Sequence, residues 1–171
     1  LVEANELTSG TTWHTAGMLW RVRPSYVDTC LHTITRDLCK KLDENNNIWK
    51  ENGGLYIAST KERLREYERL HDLGNVYNIK TKIVSPSEIP EIHPLLNTDD
   101  VIGGLYSSTD GTIDPHGLVG TLTQKAKEYG AKIMENTRVK DVIFENKNGK
   151  STISCVKTTN GDINTKMVIN A

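Results

Sequence analysis

Read for period, the chain moves between helical and strand patterns. Val27, Leu31, Ile34, Leu38 and Leu42 recur at spacings of four, three, four and four, one apolar face of an α-helix. Ser25 stands before them as an N-cap, after Arg23-Pro24, and the polar run Asp43-Glu44-Asn45-Asn46-Asn47 ends the pattern. Core packing accounts for this stripe, with Cys30 and Cys39 flanking it. A second stripe is Leu64, Tyr67, Leu70, Leu73 and Val76, opened by Ser59 with Glu62 three residues on, a capping-box spacing. His71 beside it reads as structural. Ser85-Pro86-Ser87-Glu88 repeats the start signal, with Ser as cap and Pro at the first helical position. A short helix follows to about His93, where Pro94 stops it. Asp114-Pro115 opens a fourth helix, which carries Leu118, Val119, Leu122 and Ala126 inward and closes at Gly130.

Strand patterns fill the intervals. Leu1-Val2-Glu3 reads as the end of a buried strand, and Gly53–Ala58 as a strand after a tight glycine turn. Val101–Tyr106, Ile133-Met134, Val139–Phe144 and Thr152–Lys157 follow, with Met167-Val168-Ile169 as a last buried strand. Asp110-Gly111, Asn146–Gly149 and Asn160-Gly161 read as turns, the last being the strongest short hairpin signal in the chain. Helices early and strands late predict an α/β fold, without internal repeats or a long linker.

Bulk properties narrow the class. The chain has 171 residues, 36% hydrophobic and 25% charged, with a formal net charge of -1. That suits a domain with a real core, and near-neutrality gives no reason to expect nucleic acid or an anionic membrane as partner. No apolar run approaches the ~20 residues needed to span a bilayer. Cys30, Cys39 and Cys155 have no metal-ligand spacing and read as reduced thiols. The chain opens and closes inside strand patterns, so it reads as a piece of a longer protein.

One stretch fits neither helix nor buried strand: Leu7-Thr8-Ser9-Gly10-Thr11-Thr12-Trp13-His14-Thr15-Ala16-Gly17. Its glycines permit close backbone approach and its hydroxyls can bond a polar ligand. Trp13 offers a flat apolar wall, and His14 a ring nitrogen able to act as nucleophile or ligand. A Ser/Thr-rich surface loop has the same composition.

Residues Glu3–Gly17, with Trp13-His14-Thr15-Ala16-Gly17 at their centre, resemble the dimethylglycine/sarcosine dehydrogenase family of amino-acid-oxidase-like FAD-dependent oxidoreductases. The similarity continues through Arg23-Pro24-Ser25, Asn52-Gly53-Gly54-Leu55, Ile57-Ala58-Ser59, Leu95-Leu96-Asn97 and Asp110-Gly111-Thr112, and so covers the whole chain. The resemblance implies a Rossmann-like FAD-binding domain, incomplete here, interleaved with a sheet-based substrate domain. By that analogy residues 1–43 and 111–171 lie on the FAD side and 44–110 on the substrate side. It implies that His14 is bonded covalently to the 8α-methyl of FAD and that Glu3 accepts hydrogen bonds from the adenosine ribose. It further implies that Ser9, Gly10, Thr11 and Thr12 bond the pyrophosphate and ribityl chain, and that Val139 meets adenine through its backbone.

The implied activity is oxidative N-demethylation of sarcosine to glycine. The implied partners are electron-transfer flavoprotein as acceptor and tetrahydrofolate on a C-terminal domain outside these residues, and the implied compartment is the mitochondrial matrix. Dimethylglycine dehydrogenase is the near alternative; the Thr11-Thr12 and Thr15 flanks favour sarcosine. A non-catalytic regulatory subunit of the pyruvate dehydrogenase phosphatase type is the alternative outside the enzymes, and Trp13-His14 speaks against it. Arg21, Arg23, Tyr56, Tyr106 and His116 are possible contributors to substrate binding, and none is singled out as catalytic. By itself the 171-residue chain is expected to be inactive and not to hold FAD stably.

Overall fold

Ser25 caps the first helix as its position in the sequence predicts. In the computed structural model, which describes residues 1–44, 48–147 and 149–171, α1 runs Tyr26–Leu42 and Ser25 Oγ accepts from Asp28 N at 3.4 Å. The helix is seated by a face other than its apolar one. Val27, Leu31, Ile34 and Leu38 are 61, 56, 63 and 46% exposed, while Thr29 and Cys39 are buried. Thr29 Oγ1 donates to the Arg23 and Ser25 carbonyls and accepts from Arg23 N. Cys39 packs with Leu19, Ile48 and Trp49. The expectation that the whole stripe is core is therefore corrected: Leu42 packs on that cluster, but no described part of the chain covers Val27, Leu31, Ile34 or Leu38. Asn45–Asn47, the end of the predicted helix stop, lie outside the described residues.

The chain divides into two units, Thr15–Leu118 and Leu1–His14 with Val119–Ala171. Residues Thr15–Leu118 hold two antiparallel three-stranded sheets. In one, β1 (Met18–Leu19) and β2 (Trp49–Lys50) flank β6 (Gly111–Ile113). In the other, β3 (Gly54–Ala58) and β4 (Thr81–Val84) flank β5 (Gly103–Ser107). The short strands β1, β2, β4 and β6 escaped the sequence reading, because two to four residues show no period. Helix α2 (Lys61–Val76) lays Leu70 into a cluster with Val22, Ile79 and Leu105. Its cap is Thr60, not Ser59: Thr60 has extended backbone and its side chain accepts from Arg63 N at 3.2 Å. Val76, at the end of the stripe, is 72% exposed.

The third start signal folds as a turn. Glu88 Oε2 accepts from both Ser85 N and Ser85 Oγ at 2.8 Å, the reciprocal half of a capping box, and regular helix is limited to α3 (Ile89–Ile92). Asp110-Gly111 is not the turn. Ser108 and Thr109 turn the chain, and Gly111 begins β6 with the Trp49 ring and the Lys50 carbonyl where a Cβ would be.

Helix α4 (Pro115–Glu128) follows Asp114, whose carboxylate accepts from His116 N at 3.1 Å. It closes at Gly130, where φ is +87° and Ala131 N donates back to the Ala126 carbonyl. The unit boundary falls inside this helix, at Leu118/Val119. Beyond it, β7 (Val139–Lys147), β8 (Lys150–Thr158) and β9 (Gly161–Asn164) form a third antiparallel sheet in that order. Asn148, in the turn predicted between β7 and β8, lies outside the described residues.

The Asn160-Gly161 hairpin exists with its turn one residue early. Thr158 pairs with Gly161, so Thr159 and Asn160 make the turn, and only Gly161 of these takes positive φ, at +116°. Val2 bridges Met134 in parallel, the relation expected across a βαβ crossover. Leu1, 71% exposed, is not buried, and Met167, Val168 and Ile169 form no strand and are exposed. Among the described residues the N-terminal segment pairs only through that one bridge, and Met167-Val168-Ile169 pairs with no strand.

Candidate functional site

Every residue the sequence singles out for the cofactor falls in one unit: Glu3, Ser9, Gly10, Thr11, Thr12 and His14 in its first segment, Val139 in its second. The first segment is stitched to the strand entry near residue 135. Glu3 N donates to the Met134 carbonyl at 2.9 Å, and the Glu3 carbonyl accepts from Thr137 N at 2.7 Å. Asn136 N donates to the Asn5 carbonyl at 2.8 Å, and Leu7 N to Glu135 Oε1 at 2.7 Å. Glu3 holds its own carboxylate close by accepting from Asn5 N at 2.9 Å.

Beyond Leu7 the backbone turns at Thr8, whose φ of +70° is left-handed. Ser9 Oγ donates to the Glu6 carbonyl at 2.7 Å. A Cβ placed on Gly10 would meet nothing within 4 Å, so that flank is open to an approaching group. Thr12–His14 form one turn of 3-10 helix, closed by His14 N donating to the Thr11 carbonyl at 3.2 Å. The Trp13 and His14 rings lie with centroids 4.0 Å apart and planes tilted by 31°. Both side chains are exposed, and among the described residues neither ring nitrogen of His14 takes a hydrogen bond. A nucleophilic imidazole with a free nitrogen, one face on an indole and the other to solvent, suits a covalent histidyl attachment. The hydroxyls of Thr11 and Thr12, the open side of Gly10 and the Glu3 carboxylate suit a polar cofactor. These residues fit FAD.

The unit that begins at Thr15 holds the other candidates. Gly17 (φ +67°) lies against the Ile113 carbonyl, where a Cβ would collide. It admits β1 to its pairing with β6 directly after the His14 loop. Arg21 is 6% exposed and donates from one guanidinium nitrogen to Thr109 Oγ1 at 2.8 Å; its Nε has no hydrogen-bond partner among the described residues. Burial lowers its pKa, with Arg36 nearby adding to the effect. Arg23 sits over the Trp20 ring at 5.5 Å, and Trp20 meets Tyr56 edge-on at 5.3 Å. Tyr106 is engaged in packing against the cluster of Val84, Ile89 and Val101. His116 is exposed at the start of α4.

The residue that ties this unit together is Asp110, 1% exposed. Its Oδ1 accepts from Arg21 N at 3.1 Å, its Oδ2 accepts from the Tyr56 hydroxyl at 2.8 Å, and its carbonyl accepts from Gly53 N at 3.0 Å. Burial raises the Asp110 pKa against the pull of those hydrogen bonds. Burial, with the carboxylate beside it, drives the Tyr56 phenol far above its ordinary value. Sequence reasoning placed Asp110 in a turn. An Asp before Gly carries no mark of burial, so nothing local could have shown this role.

With that geometry in view the class can be stated. The chain belongs to the FAD-dependent oxidoreductase family, whose model matches residues 1–171. It superposes on the crystal structure of L-proline dehydrogenase from P. horikoshii with a TM-score of 0.87 and 32% identity, over 99% of this chain and 44% of that one. It is 43% identical over 99% of its length to mitochondrial sarcosine dehydrogenase of Mus musculus, of which it spans 19%. It is 34% identical over 76% of its length to mitochondrial dimethylglycine dehydrogenase of Rattus norvegicus, of which it spans 16%.

Proposed function

We propose that this chain is part of an FAD-dependent dehydrogenase that oxidatively demethylates sarcosine to glycine in the mitochondrial matrix. The observation that carries the reading is the Trp13-His14 pair, an exposed imidazole with unpartnered nitrogens stacked on an indole, within a sequence 43% identical to a sarcosine dehydrogenase. Because the chain spans 19% of that relative, the activity belongs to the complete protein.

When bound, FAD supplies the two-electron oxidant. The residues of this chain hold and orient it. His14 would hold the flavin covalently at its 8α-methyl, which would prevent loss of the cofactor and withdraw electron density from the ring. Glu3 would accept from the adenosine ribose hydroxyls. Ser9, Gly10, Thr11 and Thr12 would bond the pyrophosphate and ribityl chain, and Val139 would meet adenine through its backbone. We assign residues 1–43 and 111–171 to the cofactor and 44–110 to the substrate side. The unit Leu1–His14 with Val119–Ala171 lies wholly within the first assignment.

The N-methyl carbon of the neutral amine loses two electrons and a proton. The resulting iminium takes up water and breaks down to formaldehyde and glycine, or its one-carbon unit is captured by tetrahydrofolate on a separate domain. Electrons leave to electron-transfer flavoprotein.

The test is a denaturing gel of the complete protein viewed under ultraviolet light, with a His14→Ala variant beside it. A flavin-fluorescent parent band and a dark variant band are expected. Anaerobic titration should then bleach the flavin with sarcosine more readily than with dimethylglycine; the reverse order would make it a dimethylglycine dehydrogenase. A dark parent band that is also unbleached by either amine would overturn the dehydrogenase reading in favour of a regulatory subunit.

A further inference from the structure

The hairpin turn between β8 and β9 does more than reverse the chain. It is bonded, group by group, to the short segment that receives Glu3. Thr159 N donates to the Arg138 carbonyl at 2.9 Å, and Arg138 N donates back to Thr159 Oγ1 at 3.0 Å. The Asn160 side-chain amide nitrogen spends both of its hydrogens on the same segment. One goes to the Asn136 carbonyl at 3.2 Å and the other to Thr137 Oγ1 at 2.8 Å. The turn presents that amide in a set orientation, because Asn160 N donates to Thr158 Oγ1 at 3.1 Å and Thr158 Oγ1 donates to the Gly161 carbonyl at 2.6 Å.

The receiving dipeptide is itself constrained. Asn136 has left-handed backbone, with φ of +52°, and Thr137 is 1% exposed. On its other side, Asn136 N holds the Asn5 carbonyl and Thr137 N the Glu3 carbonyl, at 2.8 and 2.7 Å. Asn136-Thr137 is thus gripped between Asn160 and the Glu3–Asn5 segment. Asn is the non-glycine residue that takes left-handed backbone most readily, and the Asn160 amide on the Asn136 carbonyl helps to hold it there.

We propose that Asn160 is a positioning residue for the adenosine end of the cofactor site, acting through Asn136-Thr137 on the placement of Glu3. The proposal rests on the reading that Glu3 takes the adenosine ribose. Asn160 itself touches no cofactor in this scheme. Losing its two hydrogen bonds frees Asn136-Thr137, lets the Glu3 segment shift, and weakens the contact to the ribose while leaving the flavin end untouched.

The experiment uses the complete protein in a His14→Ala background, so that flavin binding is reversible. Dissociation constants for FAD and for FMN, which lacks the adenosine, are measured by fluorescence titration with Asn160→Ala, Glu3→Gln and the double variant. Melting temperatures of the apoproteins are recorded alongside. Asn160→Ala is expected to weaken FAD about threefold to tenfold, the size of one or two hydrogen bonds, and to leave FMN unchanged. The double variant should bind FAD no more weakly than Glu3→Gln alone, the non-additivity of residues acting on one contact. Thr137→Val, which removes the acceptor from the other end, should reproduce the FAD-only loss.

Additive losses in the double variant, or equal losses for FAD and FMN, would show a general structural role and overturn the proposal. So would unchanged FAD affinity in Asn160→Ala beside a clear loss in Glu3→Gln, with the ribose reading left standing. Unchanged FAD affinity in Glu3→Gln would take down the ribose reading and this proposal with it.

Discussion

Asp110 shows how one buried side chain can organise a unit. Its carboxylate accepts from a backbone N–H and from a phenol for which no other acceptor is found among the described residues. Asp110→Ala leaves both donors unpaired and should cost about 2–4 kcal/mol, since each buried unsatisfied donor costs roughly 1–3 kcal/mol. Asp110→Asn keeps an acceptor for Arg21 N but takes the acceptor away from the Tyr56 hydroxyl, so it should cost less than the Ala variant, about 1–3 kcal/mol for the one donor left unpaired. Chemical denaturation of the three proteins measures both. The sign of the pH effect follows from the raised Asp110 pKa. A carboxyl whose folded pKa lies above its unfolded one contributes most stability in acid, and loses that contribution as pH rises through the folded value. Asp110→Asn should therefore gain on the parent as pH rises from the unfolded carboxylate range toward neutrality. His14 makes the opposite point about legibility. It stands out as a candidate from Trp13-His14 in the sequence alone, whereas Asp110, Thr137 and Asn160 are distinguished only by partners remote in the chain.

At the scale of elements, start signals proved more portable than faces. Ser25 and Asp114-Pro115 both open helices where the sequence places them, because a cap is a local exchange of hydrogen bonds. The turn at Ser85 is a related case. Glu88 is drawn down to about 2 by Lys82 at 2.6 Å and by the Ser85 N–H and hydroxyl. A carboxylate depressed on folding contributes stability above its unfolded pKa and loses it as pH falls toward the folded value. Glu88→Gln should thus flatten the parent's acid destabilisation between pH 4.5 and about 2, followed by thermal melting across that range. Helix α1 shows the limit of pattern. Val27, Leu31, Ile34 and Leu38 of its apolar stripe are solvent-exposed, so polar substitutions there remove no packing. Leu31→Gln with Ile34→Gln should leave the stability of the isolated chain within about 0.5 kcal/mol. The same pair should reduce its self-association in analytical ultracentrifugation, since contiguous exposed apolar surface drives association.

For the whole molecule, the division into units separates the candidate chemistry. All the cofactor candidates lie in Leu1–His14 with Val119–Ala171, and Arg21, Arg23, Tyr56, Tyr106 and His116 lie in Thr15–Leu118. The two units differ in interior. Thr15–Leu118 holds three apolar clusters, whereas Val156 is the buried apolar residue of the other unit among the described residues. A unit with so little core cannot by itself offset the entropy of ordering its chain around a ligand. The isolated 171-residue chain should therefore purify without stoichiometric flavin, which its visible absorbance would show. A yellow fragment holding one FAD per chain would refute this.

The sequence by itself determined the α/β class, the helix starts at Ser25 and Asp114, the existence of the Asn160-Gly161 hairpin and the choice of the loop around His14 as a candidate site. All of these depend on residues within a few positions of one another, where capping, turn chemistry and motif resemblance operate. Tertiary structure alone decided which face of α1 is seated, where the two- to four-residue strands pair, and that Asp110 is buried between Arg21 and Tyr56. It also decided that Asn160 grips Asn136-Thr137 and, through them, the Glu3 segment. Each of those outcomes depends on which distant residues arrive to cover a face or accept a hydrogen bond, and burial is a property of that meeting rather than of the residue itself.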